Sequence, residues 1–152
     1  MAHVVEVASL LKRSGYPDHV AAAAVLHDVL EDTDAERREL EQRFGPDVSA
    51  LVAAVSDDPA IADEERRKDA LLEQVRHAGG YAATVYAADK ISKVRELRMM
   101  LAAGVDPELA GVKVERYRNA LRMLDDVIPG SRLVEVLRFE LEALEQLPPS
   151  AD

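Results

Sequence analysis

The 152-residue chain contains no cysteine. That rules out disulfides and thiolate zinc sites, so any metal must be held by nitrogen and oxygen. Long apolar runs are missing too: none approaches the roughly 20 residues a bilayer-spanning helix needs. The opening Met1 to Glu6 has no basic region followed by an apolar one, so a signal peptide is not expected. Positive charge is scarce, with 19 Lys and Arg against 29 Asp and Glu and a net charge of -10. Such a chain has no overall positive field to draw in a nucleic-acid backbone. Local basic groups at Arg66-Arg67-Lys68 and between Lys90 and Arg98 still leave room for a positive pocket and a small phosphorylated ligand. Period-two alternation of strand length is absent, as are repeats and long linkers. These absences leave an all-α chain, long enough to bury a core as one domain, with the cytoplasm as its default compartment.

The helices read in order. Ala2 to Arg13 carries Val4, Val5, Ala8 and Leu11 and ends at Ser14-Gly15. Pro17 suits the first turn of a second helix running to about Glu31. Asp34 is placed to cap Ala35 to Phe44, which Gly45 stops. Pro46 opens Asp47 to Val55. A charged helix from about Asp63 to His77 breaks at Gly79-Gly80, and a long apolar one runs from Tyr81 to Ala103. Pro107 to about Val127 and Ser131 to Leu147 complete one helical domain over 1–147, with 148–152 as a frayed tail. The stripe of Tyr117, Leu121 and Leu124 reads as core or self-association surface. Met99-Met100-Leu101 reads as core or self-association surface, which leaves a homodimer open.

The chemistry starts at His27-Asp28-Val29-Leu30-Glu31-Asp32. On a continuous helix His27, Asp28, Glu31 and Asp32 fall within an arc of roughly 140°, directly after the hydrocarbon run Val20 to Leu26. Three carboxylates so close repel one another and resist leaving water, so they ask for a positive partner. A divalent cation is the simplest one, with His27 and Asp28 as ligands and Glu31 and Asp32 free to work on water. Elsewhere, Asp89 lies between Ala88 and Ile91 in an apolar helix, where an unpaired aspartate would cost several kcal/mol or go neutral. His3 begins the first helix. His3, His27, Asp28 and Asp89 together make two imidazoles and two carboxylates from three helices, a set that suits manganese, iron or zinc.

At this point the sequence resembles a family. His3 with Glu6-Val7-Ala8, then Ala23 through Thr33, is similar to the hydrolase domain of RelA/SpoT proteins. The small stand-alone alarmone hydrolases of the metazoan SpoT homologue type are the nearest likeness. The match continues through Phe44-Gly45, Val55-Ser56-Asp57-Asp58, Glu65-Arg66-Arg67-Lys68, Glu73-Gln74, His77, and Ala88-Asp89-Lys90-Ile91 to Leu97. The resemblance implies a multi-helix bundle of the HD-domain type and a metal-dependent phosphohydrolase. His3, His27, Asp28 and Asp89 would be the ligands, usually of manganese, and Glu31 and Asp32 would orient or deprotonate the attacking water. The family reaction removes pyrophosphate from the 3′ position of guanosine tetra- or pentaphosphate. Lys90, Lys93, Arg95, Arg66 and Lys68 are the candidates for holding the remaining phosphates.

The chain departs from the family pattern in three places. The family puts basic residues that reach the nucleotide base ahead of the first histidine, and here two residues precede His3. Lys93 stands where the pattern has asparagine, one turn from Asp89. Tyr86 stands where lysine is frequent. Three functional readings follow: a (p)ppGpp hydrolase, a phosphohydrolase of another nucleotide or phosphoester, or a helical module that senses a nucleotide without turning it over. Retention of both Glu31 and Asp32 argues against the third.

Overall fold

The computed structural model describes residues 2–146, and among these the chain is all-α, with nine helices. They are α1 (Ala2–Arg13), α2 (Asp18–Leu26), α3 (Val29–Asp32), α4 (Arg37–Phe44), α5 (Pro46–Val55), α6 (Glu64–Ala78), α7 (Gly80–Ala102), α8 (Pro107–Val127) and α9 (Arg132–Glu145). The expected tail, 148–152, lies outside the described residues.

The arrangement is built around α7. Every residue from Ala82 to Ser92 is buried, because α1, α2, α5, α6, α8 and α9 all pack against it. A helix enclosed on all sides is expected to be apolar all round, and the buried Asp89, Lys90 and Ser92 are the departures that form the site. The alanines at 82, 83, 87 and 88 let its neighbours approach closely. Leu11, Ile91, Met123, Leu124, Leu133 and Leu137 fill the principal core without solvent access above about 1%. A smaller core of Ala23, Leu40, Val48 and Val52 holds α4 against α2 and α5.

Local signals account for most boundaries. Asp63 caps α6 by accepting the Arg66 amide at 2.8 Å, and Asp106 caps α8 by accepting the Glu108 amide at 2.9 Å. Gly79 and Gly80, at φ of 59° and 46°, take the left-handed backbone that separates α6 from α7. Two expectations are corrected. The helix expected from Ala35 is α4 and begins at Arg37, and Asp34 does not cap it. Instead the Thr33 hydroxyl donates to the Val29 carbonyl at 2.6 Å and accepts the Ala35 amide at 3.1 Å, turning the chain before α4. The second helix is not continuous to Glu31 but stops at Leu26, and α3 restarts at Val29. The reason lies in the site itself.

Candidate metal centre

At the end of α2 the Ala24 carbonyl, which a continuing helix would give to the Asp28 amide, accepts a proton from Nδ1 of His27 at 2.6 Å. Asp28 flattens to φ -92° and ψ -2° and its carbonyl takes the amides of Glu31 and Asp32 as α3 begins. This break has a chemical consequence. Consecutive residues on a helix point about 100° apart and do not meet. Here the Asp28 carboxylate comes back to within 3.0 Å of His27 Nε2.

Two more elements bring their side chains to the same point. His3, on the first turn of α1, sets Nε2 3.0 Å from Asp89 Oδ1. Asp89, in the middle of α7, sets the same oxygen 3.2 Å from His27 Nε2. Ligand atoms of His3, His27 and Asp28 lie within 4.8 Å of one another. The outward atoms of the set are tied back. His27 Nδ1 holds the Ala24 carbonyl, His3 Nδ1 lies 2.9 Å from the Ser92 hydroxyl, and Asp89 Oδ2 accepts from Lys90 at 2.8 Å. Lys93 reaches that same Oδ2 at 3.2 Å, so it pairs with a different oxygen from the one facing the imidazoles.

This arrangement fits a cation. Because Nδ1 of His27 donates to a carbonyl, Nε2 of the neutral ring carries a lone pair. That atom is buried and lacks a hydrogen-bond partner, yet two carboxylate oxygens face it. Lone pair against carboxylate is repulsive, and a proton or a metal ion relieves it. Without a metal, burial would depress the imidazolium, but Asp28 and Asp89 outweigh burial and lift His27 to about 10. Asp89 is held well below the usual carboxylate range: burial raises it, and Lys90, the two imidazoles and Lys93 overcome that. Nitrogen and oxygen donors from two histidines and two aspartates match a borderline divalent ion.

A cleft beside these residues is lined by Glu31, Lys68, Tyr86, Lys90 and Lys93 along with His27, Asp28 and Asp89. Glu31 accepts the Asp57 amide at 2.7 Å, and desolvation of its carboxyl pushes it up. Lys68 is braced by Asp57 at 2.6 Å. Lys90 is buried, with its ammonium 4.3 Å from the centre of the Tyr86 ring. Burial pulls Lys90 down, whereas Lys93, also opposed by burial, is raised by Asp89 and Asp28.

Other sequence candidates stand apart. Asp32 is exposed and is not among the cleft-lining residues. Arg66 is exposed on α6. Arg95 is engaged by two carboxylates, Glu6 at 2.8 Å and Glu140 at 2.7 Å. Ser92 and Glu140 carry no role in the sequence reading, and Asp57 enters it only within the matched run Val55-Ser56-Asp57-Asp58, with no role attached. A polar residue three positions after Asp89, on a helix otherwise rich in alanine and valine, is the available signal for Ser92. Nothing local marks Glu140, since it meets its partners across the fold.

The HD-domain family model matches residues 1–134, and the chain belongs to that family. A guanosine-3′,5′-bis(diphosphate) 3′-pyrophosphohydrolase of Drosophila melanogaster is 36% identical over 104 residues, covering 67% of this chain and 58% of that protein. Its Danio rerio counterpart is 36% identical over 132 residues, covering 86% and 69%. The solved structure of a metazoan SpoT orthologue, described as hydrolysing ppGpp, superposes with a TM-score of 0.81 at 28% identity, covering 96% of this chain and 82% of that one. Within the HD-domain family the chain is therefore a RelA/SpoT hydrolase-like member. It spans about 58% of the length of the Drosophila relative.

Proposed function

We propose that the chain is a metal-dependent phosphohydrolase that removes pyrophosphate from the 3′ position of guanosine tetra- or pentaphosphate. The observation that carries this reading is the convergence of His3 Nε2, His27 Nε2, Asp28 and Asp89 Oδ1, with Nδ1 of both imidazoles and Oδ2 of Asp89 secured by other groups. His3, His27, Asp28 and Asp89 would hold the ion, manganese by family likeness. When bound, such an ion lowers the pKa of water and neutralises charge developing on phosphorus.

The chain's own residues supply the rest. Glu31, an exposed residue on the wall of the cleft whose carboxyl is raised by partial desolvation, takes the proton of the attacking water on its carboxylate, with the Asp57 amide fixing its orientation. Asp32, outside the cleft lining, would add only its charge to the approach of the water. Lys68, Lys90 and Lys93 hold the phosphates, each as a point charge. Arg66 and Arg95 contribute to the positive field at longer range, Arg95 with much of its charge engaged by Glu6 and Glu140. Exposed Met99 and Met100 suit contact between two copies.

A second reading rests on Lys93: an ammonium where the family pattern carries an amide favours a substrate with an additional anionic group at that position. Manganese-loaded protein should release pyrophosphate from ppGpp, and Asp28→Ala or Asp89→Ala should abolish turnover and metal content together. Turnover surviving either change removes the assignment. Faster release from another phosphorylated nucleotide in a panel selects the second reading.

A further inference from the structure

Ser92 is buried on α7, one turn from Asp89, and its hydroxyl has one proton to give. Glu6 Oε2 lies 2.5 Å away, and a carboxylate can only accept. The proton therefore goes to Glu6, which leaves a lone pair of the Ser92 oxygen facing His3 Nδ1 at 2.9 Å. That nitrogen must then carry a hydrogen. In a neutral ring the lone pair falls on Nε2, the atom 3.0 Å from Asp89 Oδ1. The opposite tautomer would donate Nε2–H to Asp89 but would put two lone pairs in contact at Ser92, or rob Glu6 of its hydrogen bond; a cation at Nε2 takes the place of that proton.

We propose that Glu6 and Ser92 are positioning residues for the metal centre, selecting the tautomer in which His3 Nε2 is the ligand atom. The pair is anchored from the far end of the chain. Arg95 Nη1 donates to Glu6 Oε1 at 2.8 Å while its Nε donates to Glu140 Oε1 at 2.7 Å. Arg98 Nη1 holds the other Glu140 oxygen at 2.8 Å. Glu140 is a buried residue of α9. One run of hydrogen bonds thus ties α9 to α7, α7 to α1, and α1 to the ligand set. It fixes the imidazole of a residue in the first turn of α1, where fraying would otherwise leave it loose.

The inference rests on the proposed metal site, and the test keeps the two separable. The full chain, labelled with 15N in its histidines, is studied with diamagnetic Zn2+ bound. Long-range 1H–15N spectra should place the His3 proton on Nδ1, and in Ser92→Ala that proton, no longer held by an acceptor, should exchange faster with water. Mn2+ titration should then show Ser92→Ala and Glu6→Ala weakened roughly 10- to 100-fold, and Ser92→Thr, which keeps the hydroxyl, close to wild type. Melting in EDTA identifies any variant that fails to fold, and whichever of Ser92→Ala against Ser92→Thr or Glu6→Ala against wild type remains then carries the comparison. A His3 proton on Nε2, or equal Mn2+ affinity in all variants, overturns the inference. Failure of the wild-type chain to take up either ion would overturn the metal site and this inference with it, whereas uptake with equal affinity in all variants overturns the inference alone.

Discussion

Asp89→Asn is the most informative single change, because it preserves side-chain volume and removes one buried charge. The aspartate accepts from Lys90 and faces Lys93 and both imidazoles. The Lys90 side chain is 9% exposed, so its ammonium is left without an anion in a site that water barely reaches. Removing one partner of a buried pair costs about 3–5 kcal/mol. Lys93 is 35% exposed and recovers much of its loss from solvent. For a chain of this size, each kcal/mol shifts Tm by about 2–4 °C, so the metal-free variant should melt roughly 10 °C below wild type. The gap should narrow as pH rises, on two counts. In the variant the folded Lys90 pKa lies further below its unfolded value, so the unfolded state binds the extra proton and stability climbs with pH. In the wild type, stability held by protonated His27 is present below about pH 6.5 and is lost as pH rises toward about 10. Circular dichroism melts in EDTA between pH 6 and 10 measure both effects. A Tm change under about 2 °C, or a gap that widens with pH, would refute the electrostatic account of Asp89.

Further outcomes follow from the same geometry. Between about pH 8 and 9, calorimetry in buffers of different ionisation enthalpy should show about one proton released per Mn2+ bound, because His27, raised to about 10, must lose its proton to become a ligand; no release in that window would contradict its raised pKa. Glu31→Gln combined with Asp32→Asn should leave nucleotide binding intact and remove hydrolysis, read as pyrophosphate release; undiminished release would end the role given to the pair. Ile91→Ala, a fully buried position at the centre of α7, should cost about 2–5 kcal/mol in urea unfolding, and a cost below 1 kcal/mol would mean that the core around α7 is looser than described.

Much of this architecture was legible before any coordinates. Pro107 defined the start of α8, and Gly79-Gly80 the break before α7, because proline and glycine act through backbone geometry alone. Asp89 stood out for a similarly local reason, a charge among alanines. The misreading of α2 as continuous has a definite cause. No propensity rule anticipates that a histidine ring will take the carbonyl a helix needs for its next turn. The four proposed ligands were nameable from residue type and resemblance, but their convergence depends on how α1 and α2 pack on α7, which spacing does not encode. The same holds for Glu140, whose partners lie more than forty residues away. Arg95 looked like a phosphate ligand because its two carboxylate partners were invisible in sequence.

The position of a bound metal decides whether these four side chains form one site. Crystals of the full chain soaked in Mn2+ would show its position directly by anomalous scattering. The geometry predicts a strong peak within bonding distance of His3 Nε2, His27 Nε2, and one carboxylate oxygen each from Asp28 and Asp89. A peak held instead by surface acids such as Asp34, Glu36 and Glu39, with nothing between the two imidazoles, would contradict it.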